Sequence, residues 1–334
     1  MSFDLILQKI EEYSTIIIFG HKRPDGDCYG SQNGLKDIIK NTFNNKSVFV
    51  VGQHVEFLSF VGKMDQIEDE LFNNALGIVC DTSTRDRISD QRYKLCKEII
   101  KIDHHIILDN YGDINYVEEL IPATSLIITK FLFSNPKLKI SINGATALYT
   151  GIVTDTSNFR YRGVNYDTFA LAGKLVSLGV DVEYVDQNLS VESLRTARLK
   201  SYVYRSFKVT KDGFAYAIIN KFTIKYYNVG YDEAASLVNL LANIKECPAW
   251  ALIVHYPKEI RIRIRSNGPN INLLAEKYDG GGHHKAAGAT LKSWSKLRQF
   301  VKDANQVVKE YKEQQDGNFY IKKTKNWYIF LALY

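Results

Sequence analysis

The chain has 334 residues, is 45% hydrophobic and 24% charged, and carries a formal net charge of +6 at pH 7, an ordinary globular balance with room for about two domains. No apolar run reaches the roughly 20 residues that cross a bilayer, and the start, MSFDLILQKIEEYS, carries acid where a leader would carry base, so the expected setting is the cytoplasm. Cys28, Cys80, Cys96 and Cys247 stand singly, which argues against a thiolate zinc site and a disulfide framework and for reduced, mostly buried thiols.

In chain order, residues 3–13 set Phe3, Ile6, Ile10 and Tyr13 near one helical face, and 15–19 follow as a buried strand leading to Gly20 and His21. The loop after it, broken by Pro24 and Gly26, passes into a helix whose first turn is expected at 29–32. Strands read at 47–51, at 75–80 before Asp81, and at 99–102 before Asp103, His104 and His105. Strands alternating with helical stretches imply an α/β fold with a doubly wound, mainly parallel sheet, whose ligands bind at the carboxyl ends of the strands. Helices follow at 123–133, at 144–154 running into Asp155, and at 166–178; 182–206, without Gly or Pro, read as one helical connector. Beyond it, strands at 214–219, 249–254 and 259–265, the last alternating Ile with Arg so that one face is basic, indicate a smaller α+β domain. The closing stretch NFYIKKTKNWYIFLALY reads as a final strand or an unstructured extension.

His21, Asp25 and Asp27 share one tight loop, and imidazole with carboxylate suits Mn²⁺ or Mg²⁺, although P-D-G-D is also good turn chemistry. Asp81 at a strand end is a ligand or, before Thr-Ser, a helix N-cap. Of two adjacent histidines, one would ligate while the other meets substrate. Asp155 at the end of an apolar helix needs a cation, supplied by Arg160 or by a metal. His54 and His255 read as structural or surface residues. The histidines and carboxylates on one sheet edge suffice for two ions about 3.5–4 Å apart that share a bridging carboxylate, the arrangement for in-line phosphoryl hydrolysis. The run GGGHHKAAGA at 280–289 offers backbone N–H groups to a phosphate, or forms only a tight strand-to-helix turn.

The order of these motifs, H-x-x-P-D-G-D from His21 to Asp27, a lone Asp81, D-H-H at 103–105, Asp155 in T-D-T, and G-G-G-H-x-x-A-A-G at 280–288, resembles the DHH/DHHA1 phosphoesterase family over nearly the whole chain. The stretches KRPDGDCYGSQNGL, VCDTS, KIDHH and RIRSNGPNINLLAEKYDGGGHHKAAGA are most similar to the family's bifunctional type, an oligoribonuclease of very short RNA that is also a phosphatase of 3′-phosphoadenosine 5′-phosphate (pAp).

That resemblance implies a DHH catalytic domain at 1–185, a helical linker at 186–206, a DHHA1 substrate domain at 207–315, and an extension at 316–334 with no counterpart in the family. It implies two Mn²⁺, with Mg²⁺ or Co²⁺ as substitutes, one on His21, Asp25 and Asp81, the other on Asp27, Asp81, His104 and Asp155. Asp103 would orient its neighbours and His105 would meet the scissile phosphate. Arg265, Ser266 and His283, with N–H groups near Gly281 and Gly282, would hold the nucleotide, closed between the two domains. The implied substrates are short oligoribonucleotides, degraded 3′-to-5′ by an activated water, and pAp. No membrane or obligate protein partner is expected, and a homodimer is compatible. Alternatives are a cyclic di-AMP or pApA phosphodiesterase, a pyrophosphatase, against which the glycine-rich domain argues, and a non-catalytic nucleotide-binding protein, which would need lost ligands. Ser157 stands where many relatives have Gly, and His284, outside the signature, is expected at the surface.

Overall fold

Apolar residues on both sides of the first strand set the layers of the N-terminal part. After α1 (Phe3–Glu12), capped by the Ser2 hydroxyl, β1 (Thr15–Phe19) turns Ile16 and Ile18 into one core and Ile17 and Phe19 into another. The computed structural model describes residues 2–331 apart from Arg162, with backbone alone from 316 onward. It divides into two compact units, Met1–Val191 and Glu192–Tyr334.

The first unit continues through α2 (Gly26–Thr42), β2 (Ser47–Val50), β3 (Leu76–Cys80), β4 (Glu98–Asp103), β5 (Ile114–Val117), α3 (Thr124–Ser134), α4 (Ile142–Asp155), α5 (Tyr166–Ser177) and α6 (Val182–Ser190). Its five strands are all parallel, in the order β2-β1-β3-β4-β5. The winding reverses between β1 and β3, and such a switch point is where open α/β sheets bind ligands. Helices α1 to α5 pack on the face of Ile16 and Ile18. The opposite face is covered by short 3-10 turns and their flanks, among them Phe72 and Tyr93, in place of long helices.

Helix α2 starts at Gly26, earlier than the expected 29–32, because the Asp25 carboxylate caps it by accepting from the N–H groups of Asp27 and Cys28. Gly26, Gly30 and Gly34 then line one face against α4, where a Cβ on Gly30 would stand 2.4 Å from the Ala147 carbonyl oxygen. Bare backbone on this face lets the two helices touch, and so brings Asp27 at the start of α2 toward Asp155 at the end of α4.

The single helix expected over 182–206 is two helices. The chain breaks at 191–193, and Ser193 caps α7 (Leu194–Ser206) by accepting from the Thr196 N–H. The second unit runs on through β6 (Lys208–Val209), β7 (Phe214–Ile219), α8 (Lys221–Tyr227), α9 (Tyr231–Ser236), β8 (Ala249–His255), β9 (Ile260–Ser266), α10 (Asn272–Glu276), β10 (Gly281–His283), β11 (Ala286–Leu291) and α11 (Leu297–Leu331). Its mixed sheet has the order β10-β11-β9-β8-β7-β6, parallel only between β7 and β8. Ile260, Ile262 and Ile264 of β9 are buried with residues of α10 and α11, while Arg261, Arg263 and Arg265 alternate onto the other face. On that other face α7, α8 and α9 pack against Trp250 and Leu252 of β8. Helix α11 extends through most of the closing stretch, which is therefore neither a strand nor unstructured up to Leu331. No described helix is long and apolar enough to cross a membrane.

Candidate active site

Three strand ends and two helix ends deliver the polar residues. His21 follows β1, Asp81 follows β3, Asp103 ends β4 ahead of His104 and His105, Asp25 and Asp27 open α2, and Asp155 ends α4. His21 Nε2 lies 3.7 Å from Asp25 Oδ1 and 3.4 Å from Asp81 Oδ2. On the other side of Asp81, His104 Nε2 lies 3.5 Å from Asp81 Oδ1 and 3.3 Å from Asp155 Oδ2. Ligand atoms of Asp27, His104 and Asp155 fall within 4.8 Å of one another. Asp81 thus turns one oxygen to each of two donor groups, as a bridging carboxylate must.

The imidazoles are oriented from behind. His21 Nδ1 sits 3.0 Å from the Lys22 carbonyl oxygen and His104 Nδ1 sits 3.1 Å from that of Ile121. Donation there keeps a proton on Nδ1 and turns Nε2 toward the carboxylates, the orientation of a metal-ligating histidine. Asp27 is 1% exposed and accepts from Thr124 N at 2.6 Å and Ser125 N at 2.8 Å, capping α3, whose own cap position is an alanine. Burial, with Asp81 and Asp155 nearby, holds Asp27 well above the usual carboxylate range. Burial likewise pushes Asp155 up to about 6, against the pull of His104 and with Asp81 and Asp25 adding to it. Carboxylates crowded in this way and facing the Nε2 atoms of two histidines fit a pair of hard divalent cations.

Two open readings from the sequence close here. Asp81 is no N-cap: its φ of 52° is left-handed, and the 3-10 turn that follows begins only after Thr84. Asp155 faces His104 and makes no ion pair with Arg160 among the described residues. After Asp155 come three left-handed residues, Ser157, Asn158 and Phe159, so Ser157 occupies a position that a glycine would fill without strain.

His105 differs from its neighbour. Its Nδ1 is 2.8 Å from Asp103 Oδ1, which also accepts the backbone N–H groups of His104 and His105. That hydrogen bond outweighs burial and raises the His105 pKa. Burial works against the Asp103 charge, but His105 and Lys101 prevail and bring the carboxyl down to about 2. With 41% of its side chain exposed, His105 can present a proton to a bound phosphoester. Two nearby residues gave no signal in the sequence. Thr124 Oγ1 donates to Asp81 Oδ1 at 3.2 Å, and Cys28 Sγ accepts the His21 N–H at 3.3 Å. Burial raises the Cys28 thiol to about 11, so it supports the His21 backbone as a neutral group.

The metal-free protein should lose stability as pH rises from about 5 to 8. Asp27 and Asp155 keep protons that the unfolded chain has released; His21, which burial disfavours but Asp25 and Asp81 hold above its ordinary value, stays charged where the unfolded residue is neutral. All three bind more protons folded than unfolded, so the slope is negative. In EDTA, Tm should fall across this range, and Mn²⁺ should raise it most at the alkaline end. A Tm that rises with pH in EDTA contradicts the crowded-carboxylate account.

In the second unit the glycine run is a hairpin, not a strand-to-helix turn: β10 pairs antiparallel with β11 around His284 and Lys285. Gly282 has φ 145°, and a Cβ on it would stand 2.5 Å from the Ala286 carbonyl oxygen. A Cβ on Gly281 would meet nothing within 4 Å, which leaves room beside the exposed His283. Arg265 lies opposite Ala286 across the β9–β11 ladder, so its strand runs directly beside the hairpin. Ser266 is different: it is buried, and its hydroxyl donates to the Pro269 carbonyl at 2.6 Å and accepts from Gly268 N at 3.0 Å. It shapes the loop and has no free hydroxyl for a ligand. His284 is exposed, as expected. The sequence reading also passed over α7, where Arg195, Arg198, Tyr202 and Arg205, spaced by three and four, join Tyr226 of α8 around a groove of about 620 Å³. Residues 193–211 include no acid.

Residues 15–152 match the DHH family, N-terminal domain, and residues 214–310 match the DHHA1 domain. Over 308 residues the chain is 35% identical to the bifunctional oligoribonuclease and PAP phosphatase NrnA of Bacillus subtilis, covering 92% of this chain and 98% of that one. It is 28% identical to the cyclic-di-AMP phosphodiesterase PdeA of Listeria monocytogenes, covering 86% of this chain but 47% of that larger protein. A solved exopolyphosphatase-related protein from Bacteroides fragilis superposes with a TM-score of 0.82 at 25% identity, covering 93% and 96% of the two chains. Both domains are matched in order, and the motif residues from His21 to Asp155 converge at the β1/β3 edge of the first: the chain belongs to the DHH/DHHA1 family of phosphoesterases.

Proposed function

We propose that the protein is a metal-dependent phosphoesterase that degrades very short RNA to mononucleotides and removes the 3′ phosphate of pAp to leave AMP. The observation that carries this reading is the near-full-length likeness to the Bacillus subtilis NrnA, joined to a donor set in which no motif residue is missing. His21, Asp25 and Asp81 would hold one ion and Asp27, Asp81, His104 and Asp155 the other, with Mn²⁺ as the expected metal. Bound there, the ions would supply Lewis acidity for a water and for the phosphoryl oxygens. His105, its tautomer fixed by Asp103, would steady the phosphoryl charge or give a proton to the leaving oxygen. Arg265, His283 and the backbone at Gly281 and Gly282 would hold the nucleotide. The acid-free groove of arginines and tyrosines on α7 and α8 suits the phosphates and base faces of a single strand, which supports an oligonucleotide over pyrophosphate.

The deciding experiment sets labelled di- to pentaribonucleotides, pAp, pApA, cyclic di-AMP and pyrophosphate side by side with Mn²⁺. The short RNAs and pAp should turn over fastest; a dominant rate on cyclic di-AMP or pyrophosphate overturns the reading. In the same assay Arg265→Ala and His283→Ala should each raise KM for a dinucleotide about 10-fold or more, while kcat on bis(p-nitrophenyl) phosphate stays within about 3-fold. Equal losses on both substrates would move these two residues from substrate capture into the chemistry.

A further inference from the structure

We infer that Lys101, working with Tyr111, is a positioning residue of the hydrolytic centre, which holds the loop of Asp81 and the loop of Asp103 to His105 in one fixed relation. The inference rests on the function proposed above and names a part that the motif residues do not include. Lys101 is 0% exposed in the middle of β4, between Ile100 and Ile102. Its ammonium donates to the carbonyl oxygens of Ser83 at 3.0 Å and Asp109 at 3.1 Å, lies 3.2 Å from Asp103 Oδ2, and stands 5.0 Å from the centre of the Tyr111 ring. The Tyr111 hydroxyl donates to the Thr82 carbonyl oxygen at 2.7 Å.

These contacts join two chain segments that carry chemistry. Thr82 and Ser83 directly follow Asp81, the carboxylate that stands between His21 and His104. Lys101 and Tyr111 grip the two carbonyls that come next. At the other end, among the described residues Asp103 Oδ2 makes no directed hydrogen bond and faces the ammonium, while Oδ1 receives His105 Nδ1. The ammonium therefore balances the carboxylate that orients His105. An apolar side chain in this strand of isoleucines would avoid the desolvation of a charge, so a cation here has to be compensated by the contacts that it makes. What an apolar residue cannot do is hold two carbonyls and a carboxylate from separate loops at one point.

The test uses Lys101→Met, Tyr111→Phe and His105→Ala in the full chain, singly and with Lys101→Met combined with His105→Ala. Loss of a group that orients another typically costs about 10–100-fold. Lys101→Met should lower kcat by that order and leave KM for a dinucleotide within about 2-fold. Because part of its action runs through Asp103 to His105, the combined loss in Lys101→Met with His105→Ala should fall well short of the product of the two single losses. Tyr111→Phe, which keeps the ring and removes one hydrogen bond, should weaken Mn²⁺ binding by calorimetry about 3- to 10-fold. In the metal-free protein the hydrogen-bonded His105 Nδ1–H resonance should vanish in Lys101→Met. Multiplicative effects of Lys101→Met and His105→Ala overturn the inference, as does wild-type kcat in Lys101→Met. If Lys101→Met does not fold, unchanged Mn²⁺ affinity in Tyr111→Phe overturns it instead. Metal binding and the imidazole resonance need no substrate, so a wild-type protein inactive on RNA and pAp would defeat the functional reading and still leave this inference open to its own result.

Discussion

Asp81→Asn should abolish Mn²⁺-dependent hydrolysis of every substrate, lowering kcat by about three orders of magnitude or more, since one side chain would serve both ions. Asparagine is a cleaner probe than alanine. The backbone at Asp81 has φ 52°, a conformation that Asn and Asp tolerate and that costs Ala about 1–2 kcal/mol. Asp81→Ala therefore mixes lost ligation with added strain, whereas Asp81→Asn isolates the charge. The charge has a second effect with the opposite sign. Asp81 is among the groups that raise Asp27 and Asp155, so removing it relieves repulsion in the metal-free protein. Asp81 also holds His21 above its ordinary value, so in EDTA the relief of repulsion and the loss of that partner oppose each other, and Asp81→Asn should melt within about 3 °C of wild type while having lost its activity. Calorimetry should show fewer than two Mn²⁺ bound. Turnover that returns with excess Mn²⁺ would end the bridging assignment.

The parts of this molecule that were readable from its residues are those governed by local pattern. Apolar strands that stop at His21, Asp81 and Asp103 announced a parallel sheet with its chemistry on one edge, and the motif order identified the family. What escaped depends on contacts between distant segments. The start of α2 was misplaced because Gly26, Gly30 and Gly34 are poor helix formers, and their purpose is visible only with α4 against them. Asp27 caps α3 from 97 positions away, which no local capping rule can find. Lys101 is one polar residue among the isoleucines of its strand, yet it is fully buried; only the loops folded over it reveal why. Ser266 illustrates the reverse case, a motif position whose hydroxyl is committed to its own loop. The break at 191–193 contains neither Gly nor Pro, and a serine cap, which also sits comfortably inside surface helices, was the one clue to it.

Gly30→Ala sets two effects of known size against each other. By helix propensity alone the change should stabilise the interior of α2 by about 1 kcal/mol. Packing opposes it: the new methyl would stand 2.4 Å from the Ala147 carbonyl oxygen, 2.9 Å from Gly151 N and 3.0 Å from Gly151 Cα, all backbone atoms of α4. No side-chain rotation relieves contacts with backbone, so the helices must separate, and overpacking of this kind costs about 1–3 kcal/mol and occasionally more. Three backbone contacts at these distances put the cost at the upper end, so a net loss of about 2 kcal/mol or more is expected, with a fall in Tm of at least about 4 °C. Separation would also carry Asp27 away from Asp155, the two carboxylates that α2 and α4 bring to the proposed metal site. Mn²⁺ affinity should therefore fall together with stability, which distinguishes this variant from an ordinary core lesion far from the site. An unchanged or higher Tm would mean that propensity wins and that α2 and α4 do not meet through bare backbone. An unchanged Mn²⁺ affinity beside a lower Tm would mean that the helix contact supports the fold without setting the distance between the two ligands.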